Sequence, residues 1–366
     1  MIIFGMICAA VCVLGLVYCY LRRVCFTDKQ WWLFTAFFAA SLMLVAFCVN
    51  PPDNWDLSRH YELIENMRQG GLQYVLKESA YAYLPVVNMA YALIALIGVP
   101  NLLPCFAIAA CYWVLAYFLG NMRKQNECDS RFVLCAIVFW FAFCPFLHLI
   151  SGIRNVVAYA LCAMGVYKDL HQKRFWEATI LYVAAIFIHP ASVLVLVLRV
   201  LLPIFCRWRW IGIFIGLWSL FANLIVKILT RIPIVFLANY GWKLNGYLGR
   251  PGFSGYKILL VKVVYLVAVI AILEFLKYKN QNKMEEPLLR HMRFLELTVL
   301  FIIGAFKAIV IADRLVFFVA FLAIPLLAYI YKECKGKLRV YFRYYSWATG
   351  ALAFAHQTIY LLNSIK

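Results

Sequence analysis

The sequence predicts an all-α, polytopic integral membrane protein, and three observations predict it. Hydrophobic residues make up 66% of the 366 positions and charged residues only 14%, against roughly a half and a quarter in soluble domains. The apolar residues run in long unbroken blocks, unlike the short alternating strands of a membrane β-barrel. The 35 Lys and Arg outnumber the 16 Asp and Glu by 19, an excess that cytoplasmic loops between spans ordinarily carry. A soluble globular protein, a disordered chain and a secreted disulfide scaffold are excluded.

The apolar runs cover 2–20, 31–49, 81–97, 103–120, 132–149, 153–167, 178–202, 210–229, 258–276, 294–311, 315–331 and 344–362. A span needs roughly 20 residues, so the chain is expected to hold about 11–12 membrane segments, some re-entrant or broken. No stretch is long enough for a separate soluble domain, and residues 1–366 are expected to form one polytopic membrane domain. The 13 cysteines fall mostly inside apolar runs with no CxxC pair, and they read as small buried apolar side chains. The first 20 residues lack a basic start and a small-residue cleavage site, so they read as a retained span.

Basic loops set the orientation. Arg22, Arg23 and Lys29 place the first loop in the cytoplasm and the N-terminus outside. Arg123, Lys124 and Arg131 mark a second inner loop, followed by those around Lys168–Arg174, Arg207–Arg209, Lys277–Lys283 and Lys332–Arg339. Two segments break the count. Run 178–202 starts and ends on one side and holds His189-Pro190 in its middle. Proline interrupts a helix, so two short helices in a hairpin are expected, with His189 at the outer tip. Run 81–97, which contains Pro85, is expected to dip in from outside and return. Irregular backbone at membrane depth is tolerated where protein or a water-filled cavity covers it, so both segments point to an outward-facing cavity.

This topology leaves two sizeable outward-facing loops, 50–80 and 230–257. The second carries Arg231, Lys243, Arg250 and Lys257 and no acid. Cations on the outer side do not serve orientation, and an anionic ligand is the simplest reason for them. Five charged or titratable residues lie between Asp56 and Glu62 in the first loop. On a helix Asp56 shares a face with Arg59 and His60; Tyr61 lies beside them. The plain alternative is a wet surface helix with Asp56 as its N-cap. Ser151-Gly152-Ile153-Arg154-Asn155 lies between two spans, with Arg154 in the first turn of the next helix. A cation there opposes the helix dipole, whereas a helix N-terminus with a guanidinium suits a phosphate. His189 can bind a sugar hydroxyl or act as a base near neutral pH. Lys307, Asp313 and Arg314 are expected at a short outer turn, with Arg314 facing a phosphate and Asp313 orienting it. In 239–256 the flat faces of Tyr240, Trp242 and Tyr247 suit sugar rings, interfacial anchoring being the equally common use, and the glycines suit a mobile lid. Phosphate-loop, dinucleotide, zinc-protease and nucleophile-elbow motifs are absent. The basic residues are scattered over loops, which argues against nucleic acid.

The order of these motifs resembles a known family. Asp56-x-x-Arg59-His60-Tyr61 is followed by Ile153-Arg154-Asn155 with Ala158 and Ala160, then Ile188-His189-Pro190-Ala191-Ser192, and late in the chain Asp313-Arg314. The chain is similar in this to the EpsG-type, or Wzy-type, polymerases of bacterial O-antigen, capsule and exopolysaccharide. It departs from the family pattern in having Asn155 where Gln is usual and one extra residue between His189 and Ser192. The resemblance implies a multi-pass glycosyltransferase of the bacterial cytoplasmic membrane with its active site on the outer face. It implies transfer of a growing glycan from undecaprenyl pyrophosphate to another lipid-linked repeat unit, without metal, nucleotide sugar or other cofactor. Lipid-linked oligosaccharide repeat units are the expected partners, with the chain-length regulator and flippase of the same pathway. Asp56 and His189 are the catalytic candidates. Arg59, His60, Tyr61, Arg154, Arg250, Lys307, Asp313 and Arg314 are the candidates for binding pyrophosphate and substrate. Three rivals stand beside it: a glycosyltransferase using a polyprenyl-phosphate sugar, a lipid-linked glycan flippase or transporter, and an acyltransferase with His189 or His148 as base.

Overall fold

The computed structural model describes residues 1–22, 24, 26–51, 56–79, 81, 84–126, 130–233, 235–248, 255–280, 284–333, 340, 344, 347–348, 350–351 and 355. The described elements are all helical. Two compact units divide the chain: Met1–Val193 with Tyr331–Lys366, and Leu194–Ile330.

In the first unit the helices are α1 (Ile2–Arg22), α2 (Asp28–Phe47), α3 (Asp56–Gln73), α4 (Pro85–Ile97), α5 (Leu102–Asn126), α6 (Ser130–Phe143), α7 (Phe146–Ser151), α8 (Ile153–Leu170) and α9 (Phe175–Ile188). A short 3-10 turn, Pro190–Ser192, then leads to α10 (Val193–Arg207), most of which belongs to the second unit. That unit continues with α11 (Ile211–Gly216), α12 (Ala222–Arg231), α13 (Val235–Tyr247), α14 (Gly255–Lys279), α15 (Glu286–Gly304) and α16 (Ile309–Glu333). Among the described residues six stretches are long and apolar enough to cross a membrane: Ile2–Arg22, Asp28–Phe47, Leu102–Lys124, Pro190–Arg207, Lys257–Lys279 and Ile309–Glu333. Pro85–Ile97, Ser130–Phe143 and Phe175–Ile188 are shorter apolar helices. The protein is thus an all-α, multi-pass membrane protein.

Sequence punctuation explains most boundaries. Thr27 and Gln30 form a reciprocal capping box at the start of α2, which satisfies two otherwise orphaned N–H groups. Pro145 ends the run 132–149 early and separates α6 from the six-residue α7. Pro85 opens α4 rather than interrupting it, because a first-turn proline loses no helical hydrogen bond. At 13 residues, α4 is about 20 Å long, shorter than the roughly 30 Å hydrocarbon core of a bilayer. It ends at Gly98, whose φ of +76° is the left-handed cap that glycine adopts without steric cost. In the first unit α2 packs on α5 and α8 on α9. Trp31 of α2 donates from its indole to the Ala116 carbonyl of α5 at 3.3 Å.

Two expectations are corrected. Residues 230–257 are not one loop: α12 runs to Arg231 and α13 covers Val235–Tyr247. A Cβ on Gly241 would come within 2.7 Å of Thr230 Cγ2, so this glycine permits close packing of α13 on α12 rather than a mobile lid. Run 210–229 is not one span but α11, a 3-10 turn at Trp218–Phe221 and α12. There α11 crosses α15 closely enough that a Cβ on Gly304 would meet the Ile215 carbonyl at 2.4 Å. The run 178–202 breaks at His189-Pro190 as expected, into α9 of 14 residues and α10 of 15; with the 3-10 turn the stretch Pro190–Arg207 is long enough to cross.

In the second unit His291 of α15 lies 2.7 Å from the Leu322 carbonyl of α16, both buried. Arg293 of α15 pairs with Glu296 at 2.9 Å and with Glu274 of α14, while Glu296 also pairs with Arg209. The chain of charges joins α14, α15 and the turn before α11.

Candidate active site

The first-unit site begins with α3. Its buried residues Leu57, His60, Leu63, Ile64 and Met67 recur at the three- and four-residue spacing of one helix face. His60 therefore sits in an apolar stripe and not beside Arg59 on a polar one. Asp56 and Arg59 form an ion pair with side chains 47% and 71% exposed, and an exposed pair contributes about 0–1 kcal/mol. The single face expected for Asp56, Arg59 and His60 resolves into an exposed pair and a buried imidazole. Tyr61 packs against the same apolar cluster. Its hydroxyl is buried with no hydrogen-bond partner among the described residues, and burial raises its pKa.

His60 meets two tyrosines that lie outside the sequence motifs. The Tyr91 hydroxyl of α4 is 3.1 Å from His60 Nδ1. The rings of His60, Tyr81 and Tyr91 lie 5.6–6.2 Å apart, with Tyr91 edge-on to both others. The Arg154 guanidinium of α8 stacks on the Tyr81 ring, 4.0 Å from its centre. Burial, and then the nearby Arg154 cation, push the His60 pKa down from 6.5 to about 4. α3 is amphipathic and lies outside the membrane-spanning helices. At neutral pH His60 is thus uncharged, and the positive charge in this cluster is that of Arg154.

Arg154 is the second residue of α8, whose N-cap is Gly152 without a side-chain cap and whose first turn holds no acid. Neither a side-chain cap nor an acid in the first turn offsets the unfavourable meeting of the cation with the positive end of the helix. Among the described residues no carboxylate forms an ion pair with Arg154, and its Nε is buried without a hydrogen-bond partner, as is Asn155 Oδ1. Ile153 on one side belongs to the apolar cluster of Leu57, Ile64, Leu84 and Tyr91.

His189 ends α9 in an extended conformation before Pro190. The Ser192 hydroxyl donates to the His189 carbonyl at 2.8 Å and is also a partner of the Cys162 thiol of α8. Ile188 packs on the cluster that contains Ile153 and Tyr91. The first unit thus brings together α3, α4 and the start of α8, with the end of α9 against the same cluster.

The remaining candidates belong to the second unit. Lys307 is exposed in the turn before α16. Asp313 is 6% exposed, and Arg314 is half-buried. Arg314 donates from Nη1 to the Tyr247 hydroxyl at 2.8 Å and lies 5.0 Å from that ring's centre. Tyr247 is the group seen to hold Arg314. Trp242 is exposed and Tyr240 half-buried. Arg250 lies outside the described residues.

Sequence reasoning missed Tyr81 and Tyr91. The available signal was two tyrosines bracketing an otherwise apolar segment, where a buried hydroxyl usually needs a polar partner. No curated protein and no solved structure matches the chain. The EpsG family model matches residues 31–361, a span that takes in α3, α4, the Arg154 turn, the His189 break and Arg314. The chain belongs to the EpsG family, and that membership points to a membrane polysaccharide polymerase.

Proposed function

We propose that the protein is a polysaccharide polymerase that transfers a growing glycan from undecaprenyl pyrophosphate to another lipid-linked repeat unit. The reaction takes place at the outer face of the bacterial cytoplasmic membrane. The observation that carries this reading is Arg154: a half-buried guanidinium with no carboxylate partner among the described residues, at an uncapped helix start, beside a neutral His60. In the reaction the acceptor hydroxyl attacks the anomeric carbon, and the bond from that carbon to the pyrophosphate oxygen breaks. The leaving pyrophosphate takes the electron pair, and the hydroxyl proton passes to a base. A fixed cation stabilises the charge that develops on the leaving group. Arg154 supplies it, and the exposed apolar residues Met89, Leu93 and Leu96 of α4 offer a surface for the lipid. Asp56 and His189 are the candidate bases. In the second unit, taken by itself, Arg314 held by Tyr247 is a candidate phosphate ligand, and Tyr240 and Trp242 are candidates for sugar stacking.

The test is glycan analysis of a deletion strain complemented with Arg154→Ala, Arg314→Ala, His189→Ala or Asp56→Ala. Single capped repeat units in place of a polymer ladder are expected for Arg154→Ala. Normal chain length in all four variants overturns these residue assignments. Loss of lipid-linked units from the outer leaflet marks a flippase instead.

A further inference from the structure

An arginine that must bind an anion cannot also be neutralised by its own protein. The usual way to fix a guanidinium is a carboxylate, which occupies the fork and cancels the charge. At Arg154 a ring does the holding: the Tyr81 face lies 4.0 Å from the guanidinium carbon. A ring quadrupole attracts a cation and leaves the guanidinium charge in place. Stacking covers the flat face and leaves the N–H edge for a ligand. Tyr81 is itself braced: Tyr91 meets it edge-on at 5.7 Å and His60 lies at 6.2 Å, and those two are joined by the 3.1 Å hydrogen bond. The bracing imidazole adds no competing charge.

We propose that Tyr81 is a positioning residue that holds the Arg154 guanidinium by its face, so that the edge of Arg154 binds the diphosphate ester of a polyprenyl-linked glycan. This rests on the reading of Arg154 as the diphosphate anchor. The ring sets the orientation of the cation and makes no bond to the reacting atoms. Its contribution follows the strength of the ring as a cation partner, so Trp and Phe can replace Tyr81 and an aliphatic residue cannot.

The experiment uses the full chain in detergent with two probes, farnesyl diphosphate and inorganic diphosphate, titrated against the native protein and the variants Y81F, Y81W, Y81L and R154A. Y81L is expected to weaken both probes about tenfold, equivalent to about 1.4 kcal/mol, with Y81F and Y81W restoring affinity to within about twofold. R154A is expected to lose more than Y81L. A tenfold loss in Y81F or Y81W overturns the stacking role, and these two variants carry the test should Y81L fail to fold. A Tyr81 effect confined to farnesyl diphosphate also overturns it, since the ring would then be touching the lipid. Equal affinity of the native chain for the two probes overturns the lipid as the source of the diphosphate. Native affinity in R154A removes the Arg154 anchor itself. Loss in R154A with none in Y81L removes the role of Tyr81 alone.

Discussion

The Tyr91 hydroxyl and His60 Nδ1, from two different helices, meet at 3.1 Å inside an apolar cluster. The pairing fixes one nitrogen of an imidazole that burial keeps uncharged. It also ties α3, which starts with the charged Asp56 turn, to the short α4. A hydrogen bond of this kind contributes about 0.5–1.5 kcal/mol, and more is lost when a buried partner is stranded. Tyr91 is thus a structural support for the cluster around Arg154.

The pH dependence of stability follows from His60. The unfolded chain takes up a proton near pH 6.5, whereas burial and Arg154 hold the folded value at about 4. The folded state binds fewer protons between these values. Its stability from this group is therefore fully present above about pH 6.5 and is lost as pH falls toward 4, by up to about 3 kcal/mol. His60→Gln is expected to flatten the fall in melting temperature between pH 6.5 and 4.5 in detergent. An unchanged slope would mean that other groups set the acid response.

Tyr247 and Arg314 make a separate prediction in the second unit. Tyr247→Phe removes the 2.8 Å hydrogen bond but keeps the ring 5.0 Å from the guanidinium. Tyr247→Ala removes both. If Arg314 binds substrate phosphate, polymer length in a complemented deletion strain is expected to fall modestly with Phe and severely with Ala. Equal ladders from Phe and Ala would show that the ring has no part in holding Arg314.

Much of this arrangement was legible in the sequence, for physical reasons that differ by residue. Helices and their membrane character follow from composition and from blocks of apolar residues about 20 long. Arg154 was legible because Gly152 marks a helix start and a cation there is locally unfavourable. The break at His189 was legible because proline cannot continue a helix. Tyr81 and Tyr91 were not, because their roles depend on α3, α4 and α8 meeting, and a tyrosine in an apolar run has the same pattern whether it anchors to a membrane interface or braces an arginine. Gly241 was misread because glycine serves close packing and loop mobility alike, and only the position of Thr230 separates the two uses.

Arg293 is the hub of the charged chain in the second unit, paired with Glu274 and Glu296, with its side chain 13% exposed and that of Glu296 17% exposed. Removing one member of a buried ion pair costs about 3–5 kcal/mol because a charge is left uncompensated. Here Arg209 still reaches Glu296, and Glu274 is 39% exposed, so about 1–3 kcal/mol is expected for Arg293→Met after allowing for solvent screening. Adding Glu296→Gln removes one of the two carboxylates that lose Arg293 and should recover part of the loss. Melting temperatures of the single and double variants check this, and a double variant less stable than the sum of both singles would contradict it.

The packing of α8 on α9 depends on a missing side chain. A Cβ on Gly165 would sit 2.9 Å from Cε1 and 3.1 Å from Cδ1 of Tyr182, inside the distance that packed carbon atoms tolerate. The Tyr182 ring is 7% exposed and cannot swing freely into solvent. Overpacking of this kind costs about 1–3 kcal/mol, partly offset by the better helix propensity of alanine, about 1 kcal/mol. Gly165→Ala is therefore expected to lower the melting temperature slightly and Gly165→Leu strongly. Combining Gly165→Ala with Tyr182→Leu, which removes the ring, should restore more stability than Tyr182→Leu alone would predict by simple addition. Strict additivity of the two changes would place the two side chains out of contact and would sink the close approach of the helices at this point.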